Sequence, residues 1–193
     1  MTRTGWQIAV GLAAVCGCGG GNEPQVGTEL VYTDPDAGVL RLMHDRGTHG
    51  SAVVLTFLVG DQPLSGYATG FNLPIAPGEV ALGGFTPGTG LDPGLPPLAA
   101  KAVIPTQGPL AGMLVAAQSQ KASGAGAVFG DTALAPRTVL FTVRLELALG
   151  ATTGTVFDGA VPDFALPSGG LRNLAGTAVV SGGQVGIGKL EVR

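Results

Sequence analysis

The side chains best suited to chemistry fall in two short polar stretches. His44, Asp45 and His49 lie within the hexapeptide HDRGTH. Two imidazoles and a carboxylate are competent metal ligands when they converge on one point. Here His44 closes an extended run and His49 lies beyond Gly47, so the spacing sets no common aim; a polar turn between strands is the better reading. Asp34-Pro35-Asp36-Ala37-Gly38 opens like a calcium loop. Such a loop takes a third oxygen ligand at its fifth position and a long acid at its twelfth. Gly38 stands at the fifth and the shorter Asp45 at the twelfth, so a turn is again preferred. Serine hydrolysis needs a sharp nucleophile turn, and G-x-S-x-G does not occur. Ser51, Ser65, Ser119, Ser123, Ser168 and Ser181 have only His44 and His49 to serve as bases. The Gly-rich stretches at 83–94 and 124–130 lack the Lys and the strand-to-helix context of a phosphate loop. Paired carboxylates for glycoside hydrolysis leave no signature in sequence spacing. The aromatics that line sugar clefts are scarce, with Tyr32, Tyr67 and the lone Trp6 beside seven Phe. No catalytic residue, metal ligand or cofactor is assigned on these grounds. A hydrolase on a β-sandwich scaffold is the least favoured of three functional readings.

The thiols carry a different chemistry. Cys16 and Cys18 are the only cysteines, in Val15-Cys16-Gly17-Cys18-Gly19. A disulfide between them would close a tiny strained ring, and two thiolates with no nearby His make a poor metal site. Ahead of them, Arg3 is followed by the uncharged, mostly apolar run Trp6–Val15. That is the layout of a secretory signal, and the run is too short for a membrane span of about 20 residues. The segment resembles a bacterial lipoprotein signal, in which a small residue precedes a Cys that receives a diacylglycerol before cleavage. Cys18, preceded by Gly17, fits that role best; Cys16 fits less well because branched Val15 would precede the cut. One departure is Cys16 itself, at a position where Ala or Ser is commoner. The resemblance implies that Cys18 is lipidated and anchors the chain to a membrane. Buried acyl groups contribute about 0.8 kcal/mol per CH₂, so several chains hold a domain firmly. Gly19 after Cys18, in place of Asp, implies the outer membrane of a bacterial cell envelope, facing the periplasm or the cell surface. The expected organisation is a signal peptide at 1–17, a lipidated Cys and flexible Gly-rich tether at 18–29, and one domain at 30–193.

The remainder must fold without disulfides, and its composition says how. Thirty-four Gly and 14 Pro suggest disorder, but 45% hydrophobic and only 12% charged residues exclude it. Mean hydropathy is +0.41. A folded domain rich in tight turns remains. The net charge of −3, with 10 basic residues scattered singly, excludes a nucleic-acid binder built on phosphate contacts. Loss of Arg3 with the signal makes the charge −4.

Extended runs recur along the domain. Val39–His44, Ser51–Val59, Tyr67–Ile75, Glu79–Leu82, Gly112–Gln120, Arg137–Leu147, Thr153–Phe157, Asp163–Leu166, Ala175–Val180 and Val185–Val192 all read as strands. Arg137–Leu147 is clearest: Val139, Phe141, Val143, Leu145 and Leu147 share one parity, with Leu140 the exception. Asp34-Pro35-Asp36, Ser168-Gly169-Gly170 and Ser181-Gly182-Gly183 read as turns, and Gly83–Pro97 as a long surface loop. Leu98–Ile104 is the best helical alternative, and it is short. About nine strands separated by turns predict an all-β fold, an antiparallel β-sandwich.

Three segments carry a further resemblance. Ser51–Val59, Gly70–Leu82 (GFNLPIAPGEVAL) and Gly112–Gln120 with Thr132–Leu147 follow one another as do the strands of the cohesin family and related carbohydrate-binding sandwiches. Ile75-Ala76-Pro77 departs from the family by lacking an Asp before the Pro. The resemblance implies a cohesin-like jelly roll that binds a protein, dockerin-like, or a polysaccharide through one exposed sheet face, without catalysis. No residue of a dockerin-binding face transfers position by position. The remaining reading is a structural or assembly component of the envelope without a discrete ligand, motivated by low charge and high hydrophobicity.

Overall fold

The computed structural model describes residues 25–91, 99–120, 130–161, 164, 166 and 168–193. The runs with alternating apolar residues extend into strands because one parity can be buried while the other meets solvent. The described residues are all-β, 53% strand and 2% helical. In chain order the strands are β1 (Leu30–Thr33), β2 (Leu40–His44), β3 (Ala52–Val59), β4 (Leu64–Gly66) and β5 (Ala68–Pro74). There follow β6 (Val80–Pro87), β7 (Ala99–Val103), β8 (Met113–Ser119), β9 (Thr132–Leu134) and β10 (Val139–Leu147). The last are β11 (Gly154–Asp158), β12 (Ser168–Arg172), β13 (Ala178–Val180), β14 (Val185–Gly186) and β15 (Lys189–Val192).

Two five-stranded sheets dominate, ordered β14-β2-β3-β10-β6 and β13-β12-β5-β8-β7. A three-stranded sheet, β1-β15-β11, and the pair β4-β9 complete the described set. Every pairing is antiparallel except β14 with β2. No sheet of the described residues closes into a barrel, and the arrangement is consistent with a β-sandwich. The core lies between the two large sheets. Phe57 of β3 and Phe141 of β10 meet Phe71 of β5 and each other, and Phe85 of β6 meets Phe141, with ring centroids 5.0–5.7 Å apart. Leu42, Leu55, Leu73, Leu114, Val143, Leu145 and Leu171 are fully buried around them.

Several elements differ from expectation. The stretch at 83–97 is not a loop throughout: β6 runs on to Pro87 because it pairs with β10 along its length, with a bulge at Gly83 opposite Arg144 and Leu145. Residues 92–98 lie outside the described part. The helical alternative at 98–104 is strand β7, laid against β8 from Ala99 to Val103. Ser168-Gly169-Gly170 is not a turn but the start of β12, paired with Asn72, Phe71 and Gly70 of β5. Most of the expected strand at 163–166 cannot be placed, since 163 and 165 lie outside the described residues. Val185–Val192 divides into β14 and β15, which join different sheets. In β10 a bulge between Val139 and Phe141 resets the parity, so Val139 is exposed while Leu140 and Phe141 are both buried. The bulge explains the Leu140 exception.

The residues just before β1 are bonded to the domain. Val26 bridges Thr152, Gly27 N donates to Ala151 O (2.9 Å), and Thr28 and Glu29 N donate to Arg193 O (2.6 and 2.9 Å). A Cβ on Gly27 would sit 2.0 Å from Val192 Cγ1, so this approach requires glycine.

Candidate functional site

Cys16, Cys18, Trp6 and the signal and tether residues up to 24 lie outside the described residues, as does Ser123. The HDRGTH stretch is the turn between β2 and β3. His44 Nε2 lies 2.6 Å from Thr48 O, and the His44 amide donates to Asp34 Oδ1 (2.6 Å). Asp45 Oδ1 accepts from Gly47 N (3.0 Å), and Thr48 Oγ1 donates to Asp45 O (2.9 Å). His49 is exposed. No cluster of His, Cys, Asp or Glu suited to a metal ion occurs among the described residues. Asp34 braces this turn, while Asp36 faces solvent. Ser51, Ser65 and Ser168 are exposed, and Ser181 Oγ is 3.1 Å from Gln184 Oε1 at a short 3₁₀ turn, Gly182–Gln184.

Many of the carboxylates are engaged in structural bonds. Glu79 accepts from Thr152 N and Oγ1 (2.7 and 3.0 Å). Asp61 accepts from Arg41 and from Arg137 (2.9 Å for the second), and the Arg41 bond above all holds its carboxyl below the usual range. On the outer face of the third sheet, Glu191 is paired with Arg193 (2.8 Å) and Lys189 (3.0 Å), and Lys189 reaches Asp158 at 3.8 Å. These partners lower the Glu191 carboxyl, Arg193 first, and the Glu191 bond raises the Lys189 ammonium. On the outer face of the first large sheet Arg144 pairs with Glu146 (2.9 Å), beside a row of three threonines, Thr56, Thr142 and Thr86. A groove of about 550 Å³ beside Gly38 and Gly183–Gly186 contains Arg41, already tied to Asp61 and to Gly38 O.

The outer face of the second large sheet is different. Register places its side chains in rows. Ser168, Asn72, Val115 and Val103 form one; Gly170, Gly70, Ala117 and Lys101 the next; Arg172, Ala68 and Ser119 the third. The centre is a shallow trough of about 230 Å³, lined by Ala68, Gly70, Asn72, Ala117, Ser168 and Arg172 among others. Its floor is backbone because β5 and β8 approach closely: a Cβ on Gly70 would lie 2.5 Å from Ala116 O. The rim carries two cations. Of the eight described Lys and Arg residues, five pair with described carboxylates, and Lys101, Arg172 and Arg46 have no such partner among the described residues. Arg46 sits in the turn after β2, so Lys101 and Arg172 are the pair that share a face. Arg172 Nη1 donates to Gly176 O (2.8 Å), which holds the guanidinium beside the trough.

Chemically this surface can accept an extended chain, offer it amide and hydroxyl groups from Asn72, Ser119 and Ser168, and neutralise anions at its two sides. Sequence reading missed both cations. Lys101 stood in the segment given as the best helical alternative and Arg172 just past a supposed turn; only cross-strand neighbours reveal their common face. Among the described residues no helix is long and apolar enough to cross a membrane. No protein-family model, no curated protein and no solved structure matches this chain.

Proposed function

We propose that the protein is an exported, lipid-anchored component of a bacterial cell envelope, held at the outer membrane through Cys18. Its antiparallel β-sandwich, a cohesin-like jelly roll, acts as a non-catalytic binding module for a protein or glycan partner. The observation that supports this reading is the open face of β12-β5-β8-β7. It joins a glycine-floored trough to two cations that have no carboxylate partner among the described residues. Ala117 is exposed in the trough, so Ala117→Trp fills it without touching the core. Envelope extract passed over immobilised full chain and over Ala117→Trp tests the reading. A component retained by the first and lost with the second is expected; identical retention on both would count against the face.

A second reading, assembly without a discrete ligand, is favoured by Leu174 and Val179. These lie 49% and 41% exposed on the hairpin that joins β12 to β13. Strictly monomeric behaviour in sizing and cross-linking would sink it.

A further inference from the structure

We infer that the ligand of this face is an anionic polysaccharide, a hydroxylated chain bearing carboxylate groups, with Lys101 and Arg172 as its two anion contacts. The inference rests on the reading of the face as a binding surface and names the chemistry of the occupant. Three properties select it.

The first is charge. The protein as a whole is acidic, at −3, and the cations on the outer faces of the first large sheet and of the three-stranded sheet are neutralised by neighbours. Lys101 and Arg172 have no carboxylate partner among the described residues. Arg46 also lacks a carboxylate partner among the described residues but stands alone in the turn after β2, so this is the face that offers a polyanion two such cations, and the attraction weakens with salt.

The second is spacing. Arg172 lies on β12 opposite Ala68, and Lys101 on β7 opposite Ala117. Three inter-strand steps and one same-face step along the strand separate them, roughly 16 Å at ordinary sheet dimensions. That is a backbone separation, and a chain lying across the face spans it. The trough is about 230 Å³, short of the roughly 300–1,000 Å³ that encloses a small molecule. A ligand that lies across the face and repeats its charge matches both.

The third is the floor. Protein interfaces are anchored by large aromatic or Arg side chains in deep central pockets. Gly70, Ala68 and Ala117 offer no such pocket, whereas Asn72, Ser119 and Ser168 present amide and hydroxyl groups to a hydroxylated chain. No aromatic side chain stands in the described rows of this face, so bases have nothing to stack on.

The probe is oligomeric galacturonate, titrated calorimetrically into full chain in detergent micelles at low ionic strength, with neutral dextran, polyglutamate and oligothymidylate as comparators. Binding of galacturonate alone is expected, weakening as salt is added. The exposed pair Lys101→Gln with Arg172→Gln should lower the affinity about tenfold, and Ala117→Trp should abolish it, with thermal melts unchanged. Failure of the wild type to bind, undiminished binding by the double variant, or equal binding of polyglutamate or oligothymidylate would each overturn the inference. Should galacturonate fail while capture of an envelope component stays sensitive to Ala117→Trp, the glycan assignment falls and the binding face stands. Should that sensitivity be missing too, both fall.

Discussion

Tyr32 is a buried polar side chain that joins two sheets. Its hydroxyl donates to Leu42 O (2.8 Å) and accepts from Gly188 N (2.9 Å), and so it ties the third sheet to the first. Phe in its place leaves both backbone groups unpaired and should cost about 1–3 kcal/mol in denaturant unfolding. Burial pushes the phenol well above its usual value, with the Gly188 bond acting in the opposite direction. The unfolded chain ionises near pH 10 while the native state keeps its proton, so the native state binds more protons there. Stability from this group is complete below about pH 10 and is lost as pH rises above it. Tyr32→Phe should flatten that alkaline loss; an unchanged slope would refute the assignment. At this scale the sequence was informative about turns. Asp, Asn, Gly and Pro favour turns through local bonds, and the HDRGTH stretch behaves as such a turn. It was silent about Tyr32, whose two partners lie 10 and 156 positions away.

Among the elements, β5 and β10 were legible from alternation over seven or more residues, and β3 from a continuous β-branched apolar run. β12 was not, because its opening Ser-Gly-Gly carries the composition of a turn. The physical reason for those glycines is contact rather than reversal. Gly170 has φ +110, and a Cβ on it would lie 1.9 Å from Val180 O. Gly170→Ala should therefore destabilise by more than about 1 kcal/mol, and melt β12 and β13 first in hydrogen exchange. A neutral effect would show that β13 packs elsewhere. β10 makes the complementary case. Phe141 is fully buried and touches rings from both large sheets, so Phe141→Ala should cost about 3–5 kcal/mol. Exposed Val139, two positions earlier, should tolerate Ala within about 0.5 kcal/mol. Equal effects at the two sites would contradict the bulge. Alternation alone puts both residues on one side, and only the pairing with Leu58 and Phe57 separates them.

For the whole molecule, the all-β class followed from composition: abundant turn formers with high hydrophobicity leave little else. Sheet order did not follow, since nothing local tells β14 to join β2 in parallel while β15, two residues later, joins β1. The candidate face was invisible for the same reason, being assembled from four strands spread over residues 68 to 172. The proposed anchor is independent of these pairings. Cys18→Ala should move the protein from the membrane to the soluble fraction; if Cys16→Ala does so instead, the lipidation site is misplaced. The binding role is tested most directly by shielding of Lys101. Full chain would be acylated with a water-soluble lysine-reactive ester, with and without envelope extract, and modification at each lysine read by peptide mass spectrometry. A partner seated across β12-β5-β8-β7 should slow modification of Lys101 several-fold and leave Lys189, on the third sheet, unchanged. Lys101 modified at the same rate in both conditions would contradict the proposal.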